Sequence, residues 1–161
     1  MQTKPALRRA RSGDEVAVAA CVNAAYDRYL DRMDTPPGPM LQDYAHVIAD
    51  HLVWVLCDRL CDNLRDSEPI VGVLVLIPKD GYLLLDNIAL HPDYHGQGLG
   101  SRLLAHADSE ARHLGYRELR LYTHATMTEN VALHQAKGWA VTGRGVEDGY
   151  DRIFMCRRLD P

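Results

Sequence analysis

The chain has 161 residues, 47% of them hydrophobic and 25% charged, which suits one ordinary globular core and excludes a disordered chain. A formal net charge of −4 argues against nucleic acid as the main partner and is compatible with a cationic or amine substrate, although a mildly acidic surface also serves solubility alone. No apolar run approaches the roughly 18 residues of a membrane span, and the opening stretch MQTKPALRRARSGDE has no hydrophobic signal segment, so a cytoplasmic domain without membrane or nucleic-acid partners is expected.

Residues 6–10 (ALRRA) predict a short first strand. Ser12-Gly13-Asp14-Glu15 has the pattern of a capping box with acids in the first helical turn, and the apolar spacing after Val16 predicts a helix to about Leu30. Asp34-Thr35-Pro36-Pro37-Gly38-Pro39 must end it, because three prolines and a glycine cannot continue a helix. A second helix is expected over about Met40–Asp50, with Leu41, Tyr44, Ala45 and Ile48 on one side.

Leu52–Cys57 and Ile70–Ile77 are short, apolar and rich in β-branched residues, as buried strands are. The polar stretch Asp58–Pro69 between them is too long for a tight hairpin. Four cysteines (Cys21, Cys57, Cys61 and Cys156) include only one close pair and no histidines at zinc-finger spacing, so they read as buried reduced thiols and no metal is expected.

Pro78-Lys79-Asp80-Gly81 is a turn leading into a strand over Tyr82–Leu90. The sequence then reads strand, glycine-rich loop, helix. In the helix, Leu99, Leu103, Leu104, Ala107, Ala111 and Leu114 form one apolar stripe that ends at Gly115. A strand over Glu118–Thr123 follows, then a second capping-box pattern, Thr126-Met127-Thr128-Glu129, and a short helix to Lys137 stopped by Gly138. Strands near Trp139–Thr142 and Arg152–Leu159, joined through a Gly145–Tyr150 turn, complete one mixed α/β domain. Glu147, Asp148 and Asp151 read as the solvated part of that turn, with attraction of a cationic amine as the alternative.

His95-Gly96-Gln97-Gly98-Leu99-Gly100 stands where the strand gives way to the helix. Glycines let the chain turn sharply with bare backbone N–H groups, and the helix start adds unpaired donors and the positive end of its dipole. The loop is no Walker A motif, because Gly100 is followed by Ser101-Arg102 rather than Lys and a hydroxyl residue. Nor does it fit a dinucleotide fingerprint: the third glycine is misplaced and the next strand, ELRLYT, ends without an acid.

Ile88-Ala89-Leu90-His91-Pro92-Asp93-Tyr94-His95-Gly96-Gln97-Gly98-Leu99-Gly100-Ser101-Arg102-Leu103-Leu104 resembles the acyl-CoA-binding motif of the GNAT superfamily of N-acetyltransferases. Thr128-Glu129-Asn130-Val131-Ala132-Leu133-His134, running on to Gly138-Trp139, is similar to the second half of that family, and Arg152-Ile153-Phe154-Met155 to its last strand. The order of elements agrees over nearly the whole chain, most densely from 82 to 139. The resemblance implies a GNAT fold, with a mixed central sheet of about seven strands flanked by four helices and splayed at the central parallel pair. It implies acetyl-CoA as co-substrate, held by backbone groups of Ile88 and Leu90 along the pantetheine arm and by the loop His95, Gly96, Gln97, Gly98, Leu99, Gly100 and Ser101 at the pyrophosphate. Asn130 is implied as a contact for the arm or thiol, and the Leu90 N–H as the oxyanion donor. His95 replaces the usual Arg or Gln.

Acyl transfer to a small-molecule or peptide amine needs a base, because an alkylammonium has a pKa near roughly 10.4. Asp86, set in the apolar run LLLDNIAL with residues 84, 86, 88 and 90 on one face, is the candidate. A leaving thiolate is helped by a proton donor, which in the family is a Tyr four residues after the Asn; here that position is His134, and water or Tyr122 are the alternatives. Imidazole donates a hydrogen bond in either protonation state and, with a pKa near roughly 6.5, shuttles protons near neutrality. Tyr26, Tyr29 and Tyr44, with Met33 and Met40, flank the proline break that by analogy covers the acceptor. A non-catalytic acyl-CoA-binding or sensing module on the same fold is the alternative reading, and paired edges of two copies would make a homodimer.

Overall fold

A computed structural model describes residues 4–58 and 69–160. Cys61 and the interior of the expected 58–69 connection lie outside the described residues. Seven strands, β1 (Ala6–Arg9), β2 (Leu52–Cys57), β3 (Ile70–Pro78), β4 (Leu83–Leu90), β5 (Glu118–His124), β6 (Ala140–Glu147) and β7 (Tyr150–Arg158), form one sheet in the order β1-β2-β3-β4-β5-β7-β6. Four α-helices, α1 (Glu15–Tyr26), α2 (Tyr44–Asp50), α3 (Leu99–His113) and α4 (Thr128–Ala136), complete the described residues together with short 3₁₀ turns. Every neighbouring pair of strands is antiparallel except β4–β5.

That parallel pair is the feature that creates the site. It holds only at Leu83↔Leu119 and Leu84↔Arg120, after which the two strands part. On its other edge β4 stays paired with β3 to Leu90, but the register passes from Leu76↔Leu85 to Val75↔Asn87 and skips Asp86. An extra residue on one strand bends it and sharpens its twist, and β4 leaves β5 just before this bulge. The bulge also corrects the alternation expected from the sequence. Leu83 and Leu85 pack in the cluster beneath α3, and beyond the bulge Ile88 and Leu90 pack against that same cluster while Ala89 joins the one beneath α1. Residues 84, 86, 88 and 90 therefore do not share a face.

The sheet is covered on both sides. Val73 and Val75 face α1, with Val18 and Val22, while Leu74 and Leu76 face α3, with Leu103, Leu104 and Ala107. This two-sided burial explains why β3 is apolar at every position from Ile70 to Ile77. Each fully buried Leu or Val stabilises the fold by about 1.5–3 kcal/mol.

Several predicted boundaries shift for local reasons. The first helix stops at Tyr26, and Asp27–Arg32 continue as a 3₁₀ helix. Three residues per turn keeps Tyr26 and Tyr29 on the same side, and both are buried. The expected Met40–Asp50 helix splits into a 3₁₀ turn, Gly38–Leu41, and α2, because the Asp43 side chain accepts from Ala45 N at 3.1 Å and starts a new helix. Neither capping box forms. Asp14 is the N-cap of α1 and its carboxylate is occupied by Arg8 and the Arg11 N–H, while Glu15 reaches back to Gly13 N instead. At α4 the N-cap is Met127, and Thr126 is bonded to His124 Nδ1 at 2.8 Å. The last hairpin is longer than expected, because Asp148 and Gly149 (φ 52° and 82°) make a two-residue turn and free the flanking residues to pair. Cys21 and Cys57 are buried, and burial pushes the Cys21 thiol up to about 12.

Gly72, on β3, lets Leu56 and Leu103 meet over the central strand: a Cβ there would lie 2.9 Å from Leu56 Cδ1 and 3.3 Å from Leu103 Cδ1. Gly72→Ala is therefore expected to destabilise the protein by about 1–3 kcal/mol in urea unfolding; unchanged stability would contradict this packing.

Candidate active site

The opening between β4 and β5 carries two hollows. The first, about 130 Å³, lies between the separated strands and the Pro37–Pro39 segment, and its polar wall holds Asp86, Tyr122, His124 and Arg152. Asp86 is half-buried at its bulge. Loss of water pushes its carboxyl pKa up, opposed by the Tyr122 hydroxyl and by the charges of His51, Lys79 and Arg152. Tyr122 donates to Asp86 Oδ1 over a long 3.4 Å. Tyr26, Met33, Pro37, Pro39, Met127 and Tyr150 also line this hollow.

The second hollow, about 320 Å³, is an elongated groove bounded by Ile88, Leu90, His95, Gly96, Gly98, Leu99, Gly100 and Ser101 on one side and by Asn130, Leu133 and His134 of α4 on the other. Gly96 and Gly98 have φ of +79° and +77°, a conformation that favours glycine, and the space where a Cβ would project is open at Gly96, Gly98 and Gly100. Among the described residues no acceptor takes the N–H groups of 96–101, and the first helical bond of α3 runs from Arg102 N to Gly98 O at 3.1 Å. Unpaired amides converging on a helix start form a cradle for phosphate oxygens. The cradle is one residue shorter than expected, because the His95 N–H is taken by Pro92 O at 3.2 Å. The His95 side chain still borders the groove.

Backbone direction adds donors and acceptors along the groove. His91 N bonds Val71 O on β3 at 2.8 Å. By the alternation of an extended strand, Leu90 and Ile88 turn their N–H and C=O the other way, toward the gap left by β5. A smaller recess lined by Tyr26, Tyr29, Ile88, His95 and Asn130 neighbours both hollows, sharing Tyr26 with the first and Ile88, His95 and Asn130 with the second.

The three predicted tyrosines separate. Tyr26 borders the first hollow, and its hydroxyl donates to Asn87 Oδ1 at 2.8 Å. Tyr29 borders the recess and approaches Asn130 Oδ1 at 3.5 Å. Tyr44 stands behind the wall, accepting from Asn87 Nδ2 at 3.3 Å and donating to Pro39 O at 2.6 Å. Met33 borders the first hollow, whereas Met40 packs against the α1-side core.

His134 lies in α4 beside the groove and is only 3% exposed, 5.9 Å between ring centroids from Trp139, and its Nδ1 has no hydrogen-bond partner among the described residues. Burial lowers its pKa to about 4. The expectation of an imidazole titrating near neutrality is thus corrected: His134 is neutral there and offers a hydrogen bond rather than a stored proton.

Arg152, Asn87 and Arg28 escaped the sequence reading. Asn87 had a signal, a second polar residue in an apolar strand. Arg152 and Arg28 had none, because Arg152 reaches the site through β5–β7 pairing (His124↔Arg152) and Arg28 through an ion pair with Glu129 at 3.1 Å. Glu147 and Asp151 are bound to Arg152 and Arg144, as suits the exposed hairpin expected of them. Among the described residues no group of three or more His, Cys, Asp or Glu is placed to hold a metal ion, and no helix is long and apolar enough to cross a membrane.

A seven-stranded sheet splayed at its parallel pair, with a glycine cradle at the head of the helix that follows, defines an acyl-CoA-dependent transferase fold. The sequence model of the acetyltransferase (GNAT) family matches residues 20–139, and the chain belongs to that family. It is similar to an L-methionine sulfoximine/L-methionine sulfone acetyltransferase of Salmonella typhimurium, at 23% identity over 83% of this chain and 94% of that protein. It also resembles the L-amino acid N-acyltransferase MnaT of Escherichia coli, at 31% identity over 46% of each chain. Among solved structures, the PaiA N-acetyltransferase of Thermoplasma acidophilum in complex with coenzyme A superposes with a TM-score of 0.78 at 17% identity, covering 98% of this chain and 100% of that one. The chain is accordingly an acetyltransferase of that family.

The buried imidazole has a consequence for stability. The unfolded chain takes up the His134 proton near pH 6.5, while the fold resists it to about pH 4, so its contribution is lost as pH falls through that window. Melting temperature should drop from pH 6.5 to 4.5, and less steeply in His134→Leu. Equal slopes would contradict a neutral, buried His134.

Proposed function

We propose that the protein moves the acetyl group of acetyl-CoA directly to the primary amine of a small molecule, with both substrates bound together in the β4–β5 opening. The observation that carries this reading is the adjacency of the two hollows: a recess that shares Ile88, His95 and Asn130 with the amide-lined groove shares Tyr26 with the Asp86 pocket.

In this reading the N–H groups of 96–101 hold the pyrophosphate, and the gap-facing backbone of Ile88 and Leu90 aligns the pantetheine arm like an added strand. The thioester supplies an activated carbonyl and a stable leaving group. Asp86 takes one proton from the acceptor ammonium, directly or through water, and the neutral amine attacks the carbonyl. The Leu90 N–H supports the oxyanion as charge develops. The amide forms as the C–S bond breaks, and the second amine proton ends on the thiolate. Asn130 and neutral His134 border the thiolate's side of the groove, so their part is to donate hydrogen bonds to sulfur. Tyr122, bonded to Asp86, belongs to the acceptor side. The relatives named above are a methionine-analogue acetyltransferase and an L-amino acid acyltransferase, so amino acids head the panel of acceptors.

Because burial raises the Asp86 pKa, the base is disarmed on the acid side at a higher pH than an exposed carboxylate would be. kcat/KM should rise with pH through a limb above the ordinary carboxylate range. Asp86→Asn should lower kcat about 10²-fold or more and abolish that limb while coenzyme A binding, read by calorimetry, persists. Turnover at the normal rate in Asp86→Asn would refute the assignment of the base.

A further inference from the structure

The pocket that holds Asp86 also holds a cation that the reaction above does not use. Arg152, from β7, lies with its guanidinium carbon 4.3 Å from the centroid of the Tyr122 ring and 5.6 Å from that of Tyr150. Its side chain is only 15% exposed, whereas that of its ion-pair partner Glu147 is 55% exposed and sits on the rim. Glu147 engages Nη1 alone, at 2.8 Å. Among the described residues Nε and Nη2 have no acceptor, although a guanidinium offers five N–H donors in a fork suited to carboxylate.

Asp86 and Arg152 flank a single phenol. The Tyr122 hydroxyl points to Asp86 Oδ1, and its ring carries the guanidinium. They are close enough to feel one another's charge, yet no ion pair or hydrogen bond joins them among the described residues. Both border a hollow whose remaining surface includes Tyr26, Met33, Met127 and Tyr150. A carboxylate and a guanidinium held apart in one half-buried recess each lose water without gaining one another. A ligand with an ammonium and an anionic group a few bonds apart would satisfy both at once.

We infer that Arg152 is a specificity-determining residue that binds a carboxylate borne by the acceptor close to its amine, so that the preferred acceptors are free amino acids or similar small amino-carboxylates. The ammonium then faces Asp86 and the carboxylate faces the open edge of the guanidinium. A peptide N-terminus, whose α-carboxylate has become an amide, loses this contact. The inference rests on the transferase reading above.

The test is kinetic, with matched acceptors: L-methionine, L-leucine and L-phenylalanine, their primary amides, and the corresponding decarboxylated amines, assayed by thiol release from acetyl-CoA. The wild-type protein should favour the acid over its amide by at least about tenfold in kcat/KM, corrected for the fraction of free amine. Arg152→Gln should collapse that ratio to within about twofold of unity, and Arg152→Lys, which keeps the charge without the fork, should fall between. Glu147→Gln separates this role from support of the hairpin, since it breaks the rim ion pair and leaves the guanidinium in place; the preference should survive. If Arg152→Gln does not fold, the Lys variant decides, with at least a threefold drop in the ratio expected. Wild-type transfer that ignores the carboxylate, an unchanged ratio in the Arg152 variants, or equal loss in Glu147→Gln would overturn the inference while leaving the transferase reading intact. If coenzyme A binds but no acceptor of any kind is acetylated, the transferase reading falls and this inference with it.

Discussion

Everything in this site follows from the point at which β4 loses its parallel partner. A strand inside a sheet has both edges paired, and buried backbone groups without partners are costly. Here β5 departs after Leu84, so the edge of β4 beyond the bulge faces a gap. Apart from Ile88 O, which the Tyr26 hydroxyl approaches at 3.5 Å, those backbone groups need water or a ligand, and a long flexible molecule with amide groups of its own is suited to fill the vacant strand position. The cradle of 96–101 lies at the far end of the same strand, so one short stretch of chain, from Asp86 to Ser101, holds the proposed base, the open edge and the proposed anchor for phosphate.

Burial then tunes what the gap contains. Loss of water pushes Asp86 up and His134 down, and raises the tyrosine hydroxyls of residues 26, 44 and 122. The shared cause is desolvation, which disfavours whichever form is charged. A carboxyl so placed is a better base than an exposed one, and a neutral imidazole donates a hydrogen bond without carrying a charge into the groove. The Tyr26–Asn87–Tyr44–Pro39 chain of hydrogen bonds ties the outer wall of the Asp86 pocket to the central strand. The wall and the strand that bears Asp86 are therefore positioned together. In a water-poor recess, the charges of Asp86 and Arg152 also act more strongly than they would at a surface.

What was legible in the sequence was whatever depends on neighbours along the chain. The glycines of the loop, the stripe of α3 and the doubly apolar β3 each announce their structure within a short window. Asp86 stood out because its strand is otherwise apolar, yet its direction was misread: strict alternation fails at a bulge, and no residue type marks this one. The capping boxes failed because their side chains had other local partners, Gly13 N for Glu15 and His124 for Thr126. Arg152 was invisible as a site residue, because only pairing between distant strands brings it to Tyr122. The pKa of His134 was equally unreadable, since it reflects burial against Trp139 and not the identity of its neighbours in sequence.

The central claim is that unpaired amides at the start of α3 and the free edge of β4 bind the cofactor. Backbone-amide NMR of the nitrogen-15-labelled protein titrated with coenzyme A tests it most directly. The account predicts that the largest shifts fall on the amides of residues 96–101 and on Ile88 and Leu90, with the N–H of His95, already bonded to Pro92, moving less. Saturable binding that leaves those amides unmoved and shifts another part of the sheet would contradict it.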